Sequence, residues 1–398
     1  MPYRTLLATI AASLLATSSV NSQTVGVTDN SIKIGHTNPY SGPASVYSVI
    51  GKTIVAYFKG VNATGGINGR TIDLISLDDS YSPPRTVEQV RKLVEQEKVA
   101  FLFNTLGTPT NSAIHRYVNA KKIPHIFLAT GASKWGQPER FPWSMGFQPT
   151  YDVEGEIYAS FALDNVDQPK IALLFQNDDY GKDYRDGFLR GLGDRADELV
   201  VKMLSYEVTD PTIDAQILEL AASGANVFFN ISIPKFAAQA IKKACEIDWK
   251  PLHLLNNVSS SVQSTLVPAG LGCSTGLITA QYLKDPTDPQ WSKTDGFKEW
   301  SSWMDNHIPD GDRGDMLYAY GYNISTLLHT MLRSCDDLSR PGIMACATSL
   351  NDIQLPMVIP GIKVNTSPTD FYPIEALRLS QFDGETWVLF GEVLESQR

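Results

Sequence analysis

The sequence lacks most of the features that mark enzymes, metal proteins and membrane proteins. Its 398 residues include only four cysteines and six histidines. They show no C-x-x-C spacing and no histidine at zinc-site intervals, so we predict no metal site. The nucleophile elbow G-x-S-x-G, the H-E-x-x-H pair and the phosphate loop G-x-x-x-x-G-K-[ST] are also absent. We therefore predict neither catalysis nor a cofactor.

The chain also lacks a positive charge excess and a long hydrophobic run. The formal net charge is −10 at pH 7, and no basic stripe compensates, so a nucleic-acid partner is not expected. No segment approaches the roughly 20 consecutive apolar residues that a membrane-spanning helix needs. The composition is that of an ordinary globular protein, with 43% hydrophobic and 19% charged residues.

The amino terminus has the pattern of an export signal. Arg4 precedes a mostly apolar run over residues 6–16, and small or polar residues follow as far as residue 22. This order is typical of a secretory signal peptide, which we assign to residues 1–22. Because no cysteine lies near the expected cleavage point, we expect a periplasmic protein without a lipid anchor.

Strand and helix patterns alternate along the rest of the chain. Strand-like runs precede helix-like segments at 32–34, 71–77, 100–103 and 125–128, and again at 170–175, 199–205, 226–231 and 252–255. Residues 132–150 interrupt this rhythm with prolines and tryptophans. The pattern predicts an α/β protein with two parallel sheets covered by helices, the interruption marking a crossing between two domains. Phe382-Asp383-Gly384 near the end predicts a hairpin.

The cysteines leave two interpretations open. Cys335 and Cys346 flank a predicted connection between two helices, and in an oxidising compartment they could pair, with Cys245 and Cys273 as a second bridge. Buried free thiols are the other interpretation, because the sequence does not supply the Cα separations.

Several short motifs occur in an order known from one family. They are Ser41-Gly42-Pro43, the glycine-rich turn at 65–69, Asp78-Asp79, Gly107-Thr108, Asp179-Tyr180-Gly181 and Phe382-Asp383-Gly384. In this order the chain resembles the periplasmic leucine/isoleucine/valine-binding-type solute receptors of ABC importers, the type I periplasmic binding proteins. No single motif is specific, but the match covers essentially the whole mature chain.

The resemblance implies two Rossmann-like lobes joined by a three-crossover hinge. Lobe 1 would comprise residues 23–148 plus 281–355, and lobe 2 residues 149–280 plus 356–398. It also implies a monomer that binds a small molecule between the lobes and presents it to membrane permease subunits.

One rim of the expected cleft is suited to an anion. Thr108 is a good helix N-cap and Pro109 fits the first helical position, so amides beside Gly107 would point out of a helix start. The turn Ala129-Thr130-Gly131 offers further donors at the same edge. The resemblance implies that these two loops hold a ligand carboxylate; the alternative is that the threonines only cap their own turns.

The resemblance also implies aromatic ligand contacts at Tyr47 and Tyr180. Amino-acid-binding members place an acidic residue and a tyrosine in the second lobe at positions that here hold Asn257 and Ser232. Because a buried ammonium without a carboxylate partner is costly, we expect a small carboxylate with an apolar or aromatic body instead of a branched-chain amino acid.

Three alternatives stay open at this point. The ligand could still be a branched-chain amino acid, and the receptor could serve a sensor kinase or chemoreceptor instead of an importer. An exported hydrolase is the third, since Asp78-Asp79 and Asp178-Asp179 are paired carboxylates. Neighbouring residues of a strand point to opposite faces, however, and aspartate commonly caps the turn after a strand.

Overall fold

The computed structural model describes residues 24–396. The predicted signal peptide, residues 1–22, lies outside this range. Within it, the strands are β1 Ser31–Asn38, β2 Thr71–Asp78, β3 Phe101–Phe103, β4 His125–Leu128, β5 Ser144–Gly146, β6 Ile171–Gln176, β7 Val200–Tyr206, β8 Val227–Ile231, β9 Leu252–Leu255, β10 Ile278–Gln281, β11 Ala376–Phe382 and β12 Trp387–Glu395.

Helices follow most of these strands. They are α1 Ser48–Ala63, α2 Pro83–Arg91, α3 Thr108–Ala120, α4 Tyr151–Asn165, α5 Asp179–Leu192, α6 Ala196–Leu199, α7 Asp214–Ala222, α8 Pro234–Glu246, α9 Val267–Ala269, α10 Leu271–Ser274, α11 Asp295–His307, α12 Met316–Ser334 and α13 Arg340–Ala347. Short 3₁₀ helices occupy Ser45–Tyr47, Ser133–Trp135, Gly193–Arg195, Asn257–Ser259 and Pro289–Trp291, and π-helical turns occupy Lys92–Gln96 and Val262–Leu266.

The strands form two separate sheets. The first has five parallel strands in the order β2-β1-β3-β4-β5, and the second has seven in the order β12-β11-β10-β9-β8-β6-β7. Strands β3 and β6 are buried along their whole length, as parallel strands covered by helices on both faces must be. The predicted α/β architecture with two sheets is confirmed.

The second sheet ends in an antiparallel hairpin, β11–β12. Its turn is the predicted Asp-Gly signal: the Asp383 carboxylate accepts hydrogen bonds from the backbone amides of Glu385 and Thr386, and Gly384 has φ 111°. A positive φ favours glycine because it has no Cβ.

The segment between β10 and β11 returns to the first sheet. Helix α12 packs against α1, and the two backbones approach closely at Gly321, where a Cβ atom would lie 2.7 Å from Cβ of Thr53. This packing places residues 316–334 beside the amino-terminal sheet even though they follow the second sheet in sequence.

Two local expectations need correction. Residues 132–150 are not wholly irregular, because β5 lies among them and pairs with β4. Thr108 is not the N-cap of α3: Gly107 occupies that position, and no side chain caps the helix. The Thr108 hydroxyl instead pairs with the hydroxyl of Thr130 at 2.6 Å.

All four cysteines form disulfides. Cys245 pairs with Cys273 and Cys335 with Cys346, with Cα separations of 5.5 and 5.8 Å, inside the range that such bridges require. The free-thiol interpretation is therefore wrong. Across residues 24–396, no helix is both long and apolar enough to cross a membrane.

Candidate functional site

A cavity lies where the carboxyl edges of the two sheets face each other. Loops after β1, β2, β3 and β4 line it from one side, and loops after β6, β8 and β9 line it from the other. The cavity has a volume of about 50 Å³. This is the position at which open α/β sheets bind ligands, and the volume suits a compact small molecule.

The lining is aromatic, aliphatic and uncharged. Among the described residues, no Asp, Glu, Lys, Arg or His side chain lines the cavity. Six tyrosines do: Tyr47, Tyr81, Tyr151, Tyr180, Tyr282 and Tyr320. The other polar side chains of the lining belong to Thr108, Gln148, Asn257 and Ser261.

Six of the nine predicted ligand residues line this cavity: Tyr47, Gly107, Thr108, Ala129, Tyr180 and Asn257. The other three, Thr130, Gly131 and Ser232, lie directly behind them. Thr130 is fully buried and accepts a hydrogen bond from the Trp135 indole at 3.1 Å. The Ser232 carbonyl accepts a bond from the Asn256 side chain at 2.9 Å.

Gly131 is held in place by its neighbours. A Cβ atom there would lie 2.2 Å from the Pro149 carbonyl oxygen and 2.7 Å from the Tyr151 ring. Its close approach to Tyr151 therefore supports the cavity wall from outside the lining.

The start of α3 forms the polar end of the first-lobe wall. Gly107 has φ 102° and donates its amide to the Ala129 carbonyl at 3.3 Å, which ties the two loops together. The first amides of a helix have no partner within it and carry its positive partial charge. The arrangement can therefore accept a carboxylate without a basic side chain.

Tyr47 and Tyr180 have hydroxyl groups that already have partners. The Tyr47 hydroxyl donates to the Val258 carbonyl at 2.9 Å, bridging the two halves of the cleft, and the Tyr180 hydroxyl donates to Asn256 at 3.1 Å. What these residues offer a ligand is mainly ring surface.

Asn257 is fixed from two directions. Its Nδ2 donates to the Ala280 carbonyl at 2.7 Å, and its backbone amide donates to Oε1 of Glu154 at 2.6 Å. Glu154 is buried behind the lining and also accepts bonds from Tyr158 and Tyr184 at 2.8 and 2.7 Å. Burial raises the pKa of Glu154 to about 7. Both of its oxygens are already engaged by donors of the protein.

Several lining residues were missed by the sequence reasoning. Tyr81, Gln148, Tyr151, Tyr282 and Tyr320 all line the cavity. Tyr81 follows Asp78-Asp79 at a strand end and Tyr151 follows the predicted domain crossing, so position after a strand or crossing was the available signal. No comparable signal marked Tyr320, which lies within α12.

Trp135 and Phe147 lie just outside the lining. Trp135 packs edge-on against His115 at 4.9 Å between ring centroids. Phe147 packs against Tyr282 and Tyr320, which do line the cavity. Both support the wall from behind.

Side chains from the two halves meet at two further places. Lys134 forms an ion pair with Asp179, and Ser133 donates to Asp183 through its amide and hydroxyl, both at 2.7 Å. Elsewhere, Asp315 accepts hydrogen bonds from the hydroxyls of Ser261 and Ser264 at 2.8 and 2.7 Å. The structure is therefore one in which the cleft is closed.

Two α/β sheets that close their carboxyl edges over an uncharged cavity define a two-lobed, cleft-binding protein. The family described as periplasmic binding protein matches residues 31–386. The chain belongs to this family, as a type I periplasmic binding protein of the leucine/isoleucine/valine-binding type.

Curated relatives match over part of their length. The chain is 28% identical to the Leu/Ile/Val-binding protein homolog 1 of Brucella suis over 246 residues, which is 60% of this chain and 64% of that protein. It is 26% identical to an amino acid binding protein of Pseudomonas aeruginosa over 42% of this chain and 45% of that one. The chain thus spans about half to two-thirds of the length of these relatives.

Solved structures match the fold over almost the whole chain. A branched-chain amino acid ABC transporter protein from Thermus thermophilus with bound valine superposes with a TM-score of 0.82 at 15% identity, covering 93% of this chain and 98% of that one. A fatty acid ABC transporter substrate-binding protein from Thermomonospora curvata has a TM-score of 0.78 at 22% identity, covering 94% and 95%.

Proposed function

We propose that this protein is a periplasmic receptor that binds a small carboxylate-bearing molecule in the cavity and presents it to the permease subunits of an ABC importer. The ligand is an aromatic or other organic acid in preference to a branched-chain amino acid. The receptor acts as a monomer without catalytic activity and is exported by cleavage of residues 1–22. Its lobes are residues 23–148 plus 281–355 and residues 149–280 plus 356–398.

The observation that carries this proposal is the uncharged lining beside the start of α3. A carboxylate can be stabilised there by helix amides, and the rings of Tyr47 and Tyr180 can cover an apolar body. An ammonium group would be buried without an anionic partner, which is costly. Among the described residues, the cavity wall supplies no such partner.

A branched-chain amino acid remains the second candidate because of the names of the relatives and the valine bound in one neighbouring structure. For that ligand, Glu154 would have to release its bond to the amide of Asn257 and reach the cavity. Its two oxygens accept three hydrogen bonds. The Tyr158 hydroxyl also has the Leu255 carbonyl within 2.9 Å, but the Tyr184 hydroxyl and the Asn257 amide would lose their acceptor in a buried place, at a cost of about 1–3 kcal/mol for each.

Matched ligands test the proposal. We would compare 4-methylpentanoate with leucine, and 3-phenylpropanoate with phenylalanine and with 3-phenylpropanamide, by thermal shift and then by calorimetry. Within each set the acid is expected to raise the melting temperature most, because a ligand that binds only the folded protein stabilises it by mass action. Tighter binding of leucine than of 4-methylpentanoate would contradict the preference for acids, and equal binding of acid and amide would contradict the carboxylate site.

A further inference from the structure

The turn after β2 has an unusual backbone. Ser80 and Tyr81 have φ angles of 53° and 58°, and two successive non-glycine residues in the left-handed region are unfavourable. The two preceding aspartates hold this turn. Asp78 accepts from the Ser80 amide at 2.9 Å, and Asp79 accepts from the Tyr81 amide at 3.0 Å.

Other contacts fix the same turn from outside. The second oxygen of Asp79 accepts a bond from the Thr86 hydroxyl at 3.0 Å, and Asp79 itself is fully buried. Gly42 lies so close that a Cβ atom there would be 2.5 Å from the Ser80 carbonyl oxygen. The turn therefore has little freedom to relax, and its strain is maintained by the surrounding structure.

The consequence of this turn is the position of the Tyr81 ring. Tyr81 is 6% exposed and lines the cavity. Its Cε2 atom lies 2.5 Å from the point where a Cβ atom on Gly107 would be. The ring thus packs against the residue that begins α3, the end of the cavity at which the helix amides are available.

We propose that Tyr81 limits the size of the ligand by occupying cavity volume beside the start of α3. This inference rests on the proposed function, since it assumes that an acid places its carboxylate at that helix start. Hydrogen bonds anchor the hydroxyls of Tyr47 and Tyr180 to Val258 and Asn256, and the Tyr81 hydroxyl has a partner in the side chain of Gln176. What distinguishes Tyr81 is the contact of its ring with Gly107, by which the ring excludes volume beside the start of α3.

The first test measures length preference. Linear carboxylates from butanoate to decanoate would be titrated by calorimetry into the wild type, Tyr81→Ala and Tyr81→Phe. We expect Tyr81→Ala to shift the long-to-short affinity ratio at least about tenfold in favour of longer acids, the size of effect that one or more methylene groups give in an apolar pocket. Tyr81→Phe should keep the wild-type ratio, because the ring and not the hydroxyl excludes the longer chain.

The outcomes separate this inference from the proposed function. Binding of acids by both the wild type and Tyr81→Ala with an unchanged long-to-short affinity ratio would overturn the size limit alone. Failure of every protein to bind any acid in this series or in the matched panel would overturn the proposed function and the size limit together.

A second test needs no ligand. Gly107→Ala should lower the melting temperature through its positive φ and through contacts of the new Cβ with the Tyr81 ring and with Oγ1 of Thr110. Because only the contact with the ring is relieved in a Tyr81→Ala background, the decrease should be smaller there. Gly65→Ala is the matched control, since Gly65 has φ 104° and nothing lies within 4 Å of its Cβ position. Its effect should be the same in both backgrounds. Equal losses from Gly107→Ala in the two backgrounds would show that the ring does not occupy that space and would overturn the inference.

Discussion

Two of the contacts between the halves of the cleft use carboxylates in opposite ways. In the exposed contact, Lys134 and Ser133 engage Asp179 and Asp183, and the side chains of Lys134 and Asp179 are 29% and 56% exposed. In the buried contact, Asp315 is 5% exposed and accepts bonds from Ser261 and Ser264. Because water screens the first contact and is excluded from the second, the buried one should contribute more to stability although it contains no ion pair.

The pKa values of the two carboxylates also shift in opposite directions. The hydrogen bond from Lys134 lowers the pKa of Asp179, whereas burial raises the pKa of Asp315. Lowering the pH therefore weakens the exposed contact, because Asp179 must be ionised to pair with Lys134. In the buried contact, protonation of Asp315 removes the cost of burying its charge. The two contacts can be separated by pH, by salt and by mutation.

The largest effect is expected from Asp315→Ala. This change removes the N-cap of α12, where Asp315 accepts from the Leu317 amide at 3.0 Å, and leaves the hydroxyls of Ser261 and Ser264 without their acceptor. We expect a loss of roughly 2–3 kcal/mol in the free energy of unfolding, measured by urea denaturation. Asp312→Ala is the control, because exposed Asp312 accepts only a local bond from the Gly314 amide. Equal losses in the two variants would contradict the greater weight of the buried contact.

A smaller effect is expected from Ser264→Ala, which removes one hydrogen bond to Asp315 and leaves the helix cap in place. The expected loss is about 1 kcal/mol. The closed fraction should fall with it, as measured from the distance between spin labels on the two lobes. Ser292→Ala is the reference variant, because the exposed Ser292 hydroxyl donates to a local carbonyl, that of Pro289. An equal closed fraction in the two variants would argue against a role of the Ser264–Asp315 bond in closure.

The pH dependence of closure tests the buried contact further. The raised pKa of Asp315 means that its contribution to the closed state is fully present below the ordinary value of 3.8 and is lost as pH rises through the raised value. The closed fraction should therefore increase as the pH is lowered from 7 towards 4. Asp179, with its lowered pKa, is still ionised over this range. Of the titratable groups in residues 24–396, neighbouring Asp312 and Tyr318 interact with Asp315.

Asp315→Asn isolates this effect, because an amide does not titrate. The difference in closed fraction between the wild type and Asp315→Asn should change with pH in the direction given above. A difference that is constant from pH 4 to 7 would mean that Asp315 is equally solvated in the open and closed forms.

The smallest effect is expected from Lys134→Ala. A partly exposed ion pair contributes less than about 1 kcal/mol, and salt screens it. The closed fraction of the variant should therefore differ slightly from that of the wild type at low ionic strength and match it near 1 M salt. Lys250→Ala removes an ion pair whose side chains are 81% and 80% exposed and should have no effect at either salt concentration. A salt-independent effect of Lys134→Ala would indicate that its contact with the Trp135 ring, at 4.8 Å, is the important one.

The sequence predicted the parts of the site that local chemistry determines. Gly107 could be placed because it lies between a buried strand and a helix start, and Tyr47 and Tyr180 because they correspond to aromatic ligand positions in the family that the sequence resembles. Thr108 was assigned the wrong role because a threonine before a proline is a plausible N-cap, yet its hydroxyl finds a better partner in Thr130 from another loop. Tyr81 and Tyr320 were missed because they reach the cavity through a left-handed turn and through the side of a helix, and neither leaves a periodic pattern.

The order of strands and helices, the two-sheet architecture and the hairpin at Asp383-Gly384 were determined by the sequence alone, because periodicity and turn chemistry act over a few residues. The pairing of the cysteines, the uncharged and tyrosine-rich lining, and the two contacts that close the cleft were decided only by the tertiary structure. Each of these depends on distances between residues far apart in the chain, such as Ser261 and Asp315 or Tyr47 and Val258. Such distances are set when the sheets pack and the chain crosses between them, which no local pattern records.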